Sequence, residues 1–182
     1  MFGIFYPCAY LKSVFEIDFQ KLYNKGYRGI LFDVDNTLVH HGDDSTPQID
    51  ALFDSLHKIG FKTLILTNND EDRVKRFLKN IDSEYICEAN KPDTAGYLKA
   101  LEMLGISKKE AVCIGDQIFT DICGANKSGI DSILVEFIRV SENEKIGKRR
   151  HVENFILKFY RFSKSYRKLG DIVKGNNNNV ME

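Results

Sequence analysis

Gly29-Ile30-Leu31-Phe32-Asp33-Val34-Asp35-Asn36-Thr37 is the stretch on which the fold turns. A short apolar run that ends in polar turn residues reads as a buried parallel strand. In open α/β sheets, ligand sites form beyond the carboxyl ends of such strands. Asp33 and Asp35 fall at that end, and side chains two apart on extended backbone face the same side.

Working outward, the same pattern recurs. Runs at 29–34, 63–66, 84–87, 111–114 and 132–135 read as buried strands, each bounded by Gly, Asn or Asp. Between them lies helical spacing. Ile49, Leu52, Phe53 and Leu56 share one face after Pro47, a good first-turn residue. Val74, Phe77 and Leu78 mark a second helix, and Tyr97, Leu98, Leu101 and Leu104 a third that Gly105 stops; a short fourth is expected near 120–127. Strands alternating with helices predict an α/β fold: a Rossmann-like parallel sheet of about five strands, covered by helices on both faces.

Composition bounds the rest. The chain has 182 residues, 43% hydrophobic, enough for one domain with an appendage. No apolar run approaches the roughly 18 to 20 residues that span a bilayer. The N-terminal MFGIFYPCAYL has no basic leading region and no small-residue cleavage site, so it is not read as a signal peptide. Cys8, Cys87, Cys113 and Cys123 form no C-x-x-C pair and are expected to be reduced, structural thiols. A cytoplasmic protein is expected, one able to touch a membrane surface peripherally.

Net charge is zero, but unevenly distributed. Residues 1–140 carry 16 Lys/Arg against 21 Asp/Glu, and residues 141–182 carry 10 against 5. The expected division is an N-terminal arm (1–27), an α/β core (28–140), a basic amphipathic helix (141–173) and an asparagine-rich disordered tail (174–182).

The strand ends carry the chemistry. After the first stands Asp33-Val34-Asp35-Asn36-Thr37, and after the second Thr67-Asn68-Asn69; Lys91-Pro92 follows the third, and Gly115-Asp116 the fourth, with Thr120-Asp121 close behind. Carboxylates gathered in one crevice repel each other unless a cation lies among them. An oxygen-only set without His or Cys suits Mg²⁺ rather than zinc. Lysine, hydroxyl and backbone N–H groups are what a phosphate needs. The combination describes phosphoryl transfer through an aspartyl-phosphate, one aspartate attacking phosphorus while the other moves protons. Taken singly, each motif has a plainer explanation as a strand-end turn, a cap or a solvated lysine; four in this order do not.

D-x-D-x-T, T-N, K-P and G-D-x-x-x-T-D, over residues 28–136, resemble the haloacid dehalogenase (HAD) superfamily of phosphotransferases. The resemblance implies Asp33 as nucleophile and Asp35 as general acid/base. It implies Mg²⁺ on the Asp33 carboxylate, the Asp35 backbone carbonyl and the Asp116 carboxylate, with Asp121 supporting the metal. Thr67, Asn68 and Lys91 would hold phosphoryl oxygens, Lys91 also offsetting carboxylate repulsion. Leu11–Ile17 (LKSVFEI), GDQIFTDI at 115–122 and the basic C-terminal segment are similar to the YqeG-like branch. That branch includes phosphatidylglycerophosphate phosphatases, which implies a phospholipid head group as substrate.

Spacing bears on access to the site. Only 31 residues separate Asp35 from Thr67 and 23 separate Thr67 from Lys91, each interval filled by a helix and a strand. No cap domain fits, so the site is expected to be open, although an oligomer can supply a lid in trans. In the C-terminal segment, Val152, Phe155, Ile156, Phe159, Phe162, Tyr166 and Leu169 form one apolar stripe amid Lys and Arg. Such a helix can lie on an anionic membrane, or dock on the domain or on a second subunit. Other readings are a phosphatase of proteins, nucleic acid ends or sugar phosphates, a receiver-like signalling module, and a basic tether to RNA or ribosomes. DNA is not an expected partner. His40 and His41, just past the first motif, read as loop residues or substrate contacts.

Overall fold

The computed structural model describes residues 2–139, 147–166 and 168–174. Six parallel strands form one sheet: β1 (Ala9–Leu11), β2 (Gly29–Phe32), β3 (Lys62–Leu66), β4 (Glu84–Ile86), β5 (Ala111–Gly115) and β6 (Asp131–Val135). Their spatial order is β1-β6-β5-β2-β3-β4. From β2 the chain runs outward through β3 to β4, then returns to the other side as β5 and β6. The end of β2 is therefore the switch point where a doubly wound sheet opens its crevice.

Alternation along the strands loads both faces. Ile30, Phe32, Ile65, Val112 and Ile114 pack with α1 (Phe19–Asn24), α2 (Pro47–Ile59) and α3 (Glu71–Phe77), where the Phe32 and Phe53 rings lie 5.3 Å apart. Leu31, Leu64, Leu66 and Cys113 pack on the opposite face against α4 (Thr94–Leu104) and α5 (Cys123–Ser128). Local signals set the helix ends. Thr46 accepts from the Ile49 N–H before Pro47, and Gly60 ends α2 in the left-handed region at φ 108°. The two intervals on either side of Thr67 hold α2 with β3 and α3 with β4, and no cap domain.

Two expectations change. The N-terminal arm is part of the sheet: β1 pairs with β6, Ala9 opposite Ile133, which makes six strands rather than about five. The basic C-terminal segment is not one helix over 141–173. Its described part is α6 (Lys148–Leu157), a 3₁₀ turn (Tyr160–Phe162) and a stretch that doubles back onto the arm. There the Leu169 N–H donates to the Cys8 carbonyl, Ile17 bridges Val173, and Leu169 and Ile172 are buried. Tertiary burial of those two residues overrides the helical periodicity. Residues 140–146, Arg167 and the tail 175–182 lie outside the described residues. Among the described residues no helix is long and apolar enough to cross a membrane, and the four cysteines are free.

Candidate active site

Register brings the site together. Phe32 lies opposite Ile65 on β3 and Ile114 on β5, so the next residues out along the three strands share one rim. The Asp33 N–H still donates to the Ile114 carbonyl at 3.0 Å. Thr67 and Asp116 emerge beside it.

Carboxylate oxygens of Asp33, Asp116 and Asp121 lie within 4.8 Å of one another, an arrangement able to hold a metal ion. Lys91 Nζ donates to Asp33 Oδ1 at 2.6 Å and to Asp121 Oδ1 at 2.7 Å. The Thr37 hydroxyl lies 3.1 Å from Asp33 Oδ2 and 3.2 Å from Asp116 Oδ1, able to donate to one at a time. Burial raises the Asp33 carboxyl above the usual range, with Lys91 opposing. Burial also raises Asp116, reinforced by Asp33 and Asp121 and opposed by Arg150. Burial works against the Lys91 charge, but Asp121 and Asp33 outweigh it and hold the ammonium protonated.

Asp121 approaches through a π-helical turn (Ile118–Ile122) entered directly from β5, a distortion frequent at functional sites. Its Oδ2 accepts from the Gln117 N–H at 3.0 Å. Gly115 makes room: a Cβ there would lie 2.4 Å from Asp121 Cβ and Cγ. Gly115→Ala is therefore expected to displace Asp121 and lower kcat/KM for phosphate release about tenfold or more, since small misplacements at a reacting centre are costly. Wild-type kinetics in that variant would show that Asp121 is not needed where it lies.

Asp35 lines the same crevice as Asp33, Thr67, Asn68 and Lys91, but its carboxylate is heavily engaged. Oδ1 accepts from Arg73 Nη2 at 2.7 Å and the Gly42 N–H at 3.3 Å; Oδ2 accepts from Asn69 Nδ2 at 3.0 Å and lies 2.9 Å from His41 Nδ1. Burial would raise its carboxyl, but the Arg73 hydrogen bond and its companions outweigh that and hold it below the usual range. Asn68 is also occupied: its amide and the Lys91 backbone exchange hydrogen bonds at 2.7 and 3.3 Å, fixing the loop that delivers Lys91. Thr67 Oγ1 accepts from the Asn69 N–H at 3.2 Å.

Several residues of the site carry no motif. Arg73 is buried on α3, its Nε and Nη1 without hydrogen-bond partners among the described residues and its guanidinium 5.9 Å from the Phe77 ring. Arg150, at the start of α6, donates to both the Asp116 carboxylate and the Asp116 backbone carbonyl. Buried Glu153 anchors the same helix, accepting from Arg150 at 3.2 Å and from the Phe119 N–H at 3.1 Å. Both arginines belong to strongly charged helices, where a solvated face is the ordinary reading of such residues. His41, 72% exposed at its side chain, reaches Asp35 from its loop and lines the crevice.

This geometry, a carboxylate cluster with a buried lysine at the switch point of a parallel sheet, defines a class that comparison with known proteins identifies. The family model for haloacid dehalogenase-like hydrolases matches residues 41–129. A "Probable phosphatase YqeG" of Bacillus subtilis (strain 168) is 34% identical over 154 residues, 84% of this chain and 90% of that protein. Phosphatidylglycerophosphate phosphatase 1, chloroplastic/mitochondrial, of Arabidopsis thaliana is 27% identical over 165 residues; the match covers 84% of this chain but 47% of the plant protein, about half its length. A HAD phosphatase from Thermococcus onnurineus shares the fold at a TM-score of 0.50 and 17% identity, over 66% of this chain and 89% of that one. The chain belongs to the haloacid dehalogenase-like hydrolases, as a phosphatase of that superfamily.

Proposed function

We propose that the protein is a Mg²⁺-dependent phosphomonoesterase that works through an aspartyl-phosphate and acts on a phospholipid head group such as phosphatidylglycerophosphate. The convergence of Asp33, Asp116 and Asp121 beside Lys91 carries this reading.

The donor set fits the ion. All ligating groups are oxygens, as a hard divalent cation prefers. The carboxylates of Asp33, Asp116 and Asp121 meet with Lys91 bridging only the first and last of them, so a cation at the cluster would relieve the repulsion that remains. The carboxylates of Asp33 and Asp116 with the Asp35 backbone carbonyl would hold Mg²⁺, Asp121 supporting it, and the bound ion would offset charge on the phosphoryl oxygens.

Asp33 attacks phosphorus, and the bond from phosphorus to the ester oxygen breaks. A proton drawn from solvent through His41 and Asp35, whose own carboxyl is held ionised, goes to that oxygen; Asp35 then takes one from the water that attacks the aspartyl-phosphate, inorganic phosphate leaves and Asp33 is regenerated. Arg73 and Asn69 orient Asp35, and exposed His41 links it to solvent. Thr67, Lys91 and the loop that Asn68 braces hold the phosphoryl oxygens.

Two features support a lipid substrate. Among the described residues no cap domain covers the site. Beyond it, α6 and the following turn expose Val152, Phe155, Phe159 and Phe162, at 51, 58, 48 and 73%, among Lys148, Lys158, Arg161 and Lys164. Exposed aromatic and basic side chains together suit an anionic lipid interface, and the activity in the plant relative's name agrees. The test measures phosphate release from phosphatidylglycerophosphate in anionic vesicles, against phosphopeptides, nucleic acid 5′-phosphates and sugar phosphates, with Mg²⁺ or with EDTA. The lipid is expected to give the highest kcat/KM, and EDTA to abolish turnover. Preference for a soluble substrate, or full activity in EDTA, would overturn the reading.

A further inference from the structure

The two aspartates that follow β5 are both braced from outside the sheet, by α6. Arg150, at the start of that helix, directs Nη1 to the Asp116 backbone carbonyl and Nη2 to Asp116 Oδ2. Glu153 lies three residues on, and so on the same helix face. It accepts from Arg150 Nη1 at 3.2 Å and from the Phe119 N–H at 3.1 Å. Phe119 belongs to the π-helical turn that carries Asp121. One face of α6 therefore fixes Asp116 directly, and the turn bearing Asp121 through its backbone.

The grip distinguishes the two oxygens of Asp116. The Thr37 hydroxyl reaches both Asp33 Oδ2 and Asp116 Oδ1, which marks Oδ1 as the oxygen on the Asp33 side. Arg150 takes the other, Oδ2, and leaves Oδ1 to the carboxylate cluster. A planar guanidinium that bonds the side chain and the main chain of one residue fixes the rotation of the carboxylate as well as its position. The arginine is itself held. Its guanidinium lies 4.9 Å from the Phe137 ring, and Ile156 and Leu157 pack against buried Ile118, Ile122 and Leu134. Its side chain is 17% exposed and that of Asp116 0%, so this is not a solvated surface pair.

Resting on the metal-dependent reading above, we propose that Arg150 is a positioning residue of the metal centre: braced by Glu153 and Phe137, it holds Asp116 with Oδ1 turned to the cluster where the ion binds. The basic C-terminal segment is then part of the metal site rather than an appendage to it. Partners that orient a metal ligand in this way govern roughly 10- to 100-fold in metal affinity.

The experiment reads metal binding apart from turnover. Mn²⁺ takes the same oxygen ligands as Mg²⁺, and the electron paramagnetic resonance signal of the free ion falls as it binds. Wild type, Arg150→Met, Arg150→Gln and Arg150→Lys are freed of metal with EDTA, dialysed and titrated with Mn²⁺. Phosphate release from p-nitrophenyl phosphate is then followed against Mg²⁺ concentration. Arg150→Met keeps an apolar stem against Phe137 and deletes the charge. It is expected to weaken Mn²⁺ binding about 10- to 100-fold and to raise half-saturating Mg²⁺ in proportion, excess Mg²⁺ recovering most of kcat. Arg150→Lys, able to reach one of the two acceptors, should fall between. If Arg150→Met fails to fold, Arg150→Gln is held to the same expectation. A variant that loses stability to urea in EDTA yet binds Mn²⁺ as wild type does makes Arg150 merely structural and overturns the proposal. Tighter Mn²⁺ binding also overturns it, by making Arg150 a competitor of the ion. Should wild type take up no Mn²⁺, the proposal falls together with the metal-dependent reading; wild-type binding that the variants leave unchanged sinks the proposal alone.

Discussion

Asp33→Asn is expected to lower kcat for phosphate release by about 10⁴-fold or more, because an amide oxygen cannot form the aspartyl-phosphate. Stability should change in the opposite sense or hardly at all. Burial holds the Asp33 carboxyl above its ordinary range despite Lys91, so folding disfavours its charged form. Removing that charge relieves repulsion with Asp116 and Asp121, and urea unfolding at neutral pH should show the variant within about 1 kcal/mol of wild type or above it. Burst and steady-state measurements of phosphate release, paired with that titration, separate loss of the nucleophile from loss of the fold. Turnover comparable to wild type would remove Asp33 from the chemistry.

A second large effect is expected at Lys91. The lysine is buried against Asp33 and Asp121, at 2.6 and 2.7 Å, and has no solvent to replace it. Lys91→Met keeps the length of the side chain and deletes the charge, leaving two carboxylates in the interior without their cation. Breaking a buried ion pair from one side costs about 3–5 kcal/mol, so urea unfolding in EDTA should show a loss of that size, and phosphatase activity should fall with it. A stability change below about 1 kcal/mol would mean that the carboxylates neutralise themselves by taking up protons once the lysine is gone.

The core of the fold was legible because its strands are continuous apolar runs that end in polar residues. The six-residue 29–34 run and its neighbours announce parallel strands buried on both faces, and the observed strands lie within one or two residues of the expected ones. β1 was not legible, since three residues show no periodicity, and the strand exists only because β6 offers an edge. The C-terminal stripe of apolar residues has true helical spacing, yet the helix stops at Leu157. Burying Leu169 and Ile172 on the arm requires the chain to turn back, and no local signal records that demand.

For the site, motif residues were legible and their supports were not. The strand ends named Asp33, Asp35, Thr67, Lys91, Asp116 and Asp121 as a group; the register of β2, β3 and β5 explains why Asp33, Thr67 and Asp116 share a rim, while Lys91 and Asp121 are delivered by the loop after β4 and the π-helical turn. Arg73 sits three residues into an ordinary charged helix, and Arg150 lies within a run of three basic residues. Their partners Asp35 and Asp116 lie far away in sequence, so only tertiary structure pairs them. Gly115 is a comparable case: its lack of a side chain matters because Asp121 crosses directly over it.

Pairing of β1 with β6 also imposes an order of events during synthesis. Within this sheet β1 is made before the other five strands yet has its seat beside β6, so it must stay unpaired until nearly all of the sheet has been translated. Contacts between distant segments are slow to form, and here β1 is obliged to wait and close the edge late, when β6 emerges to receive it.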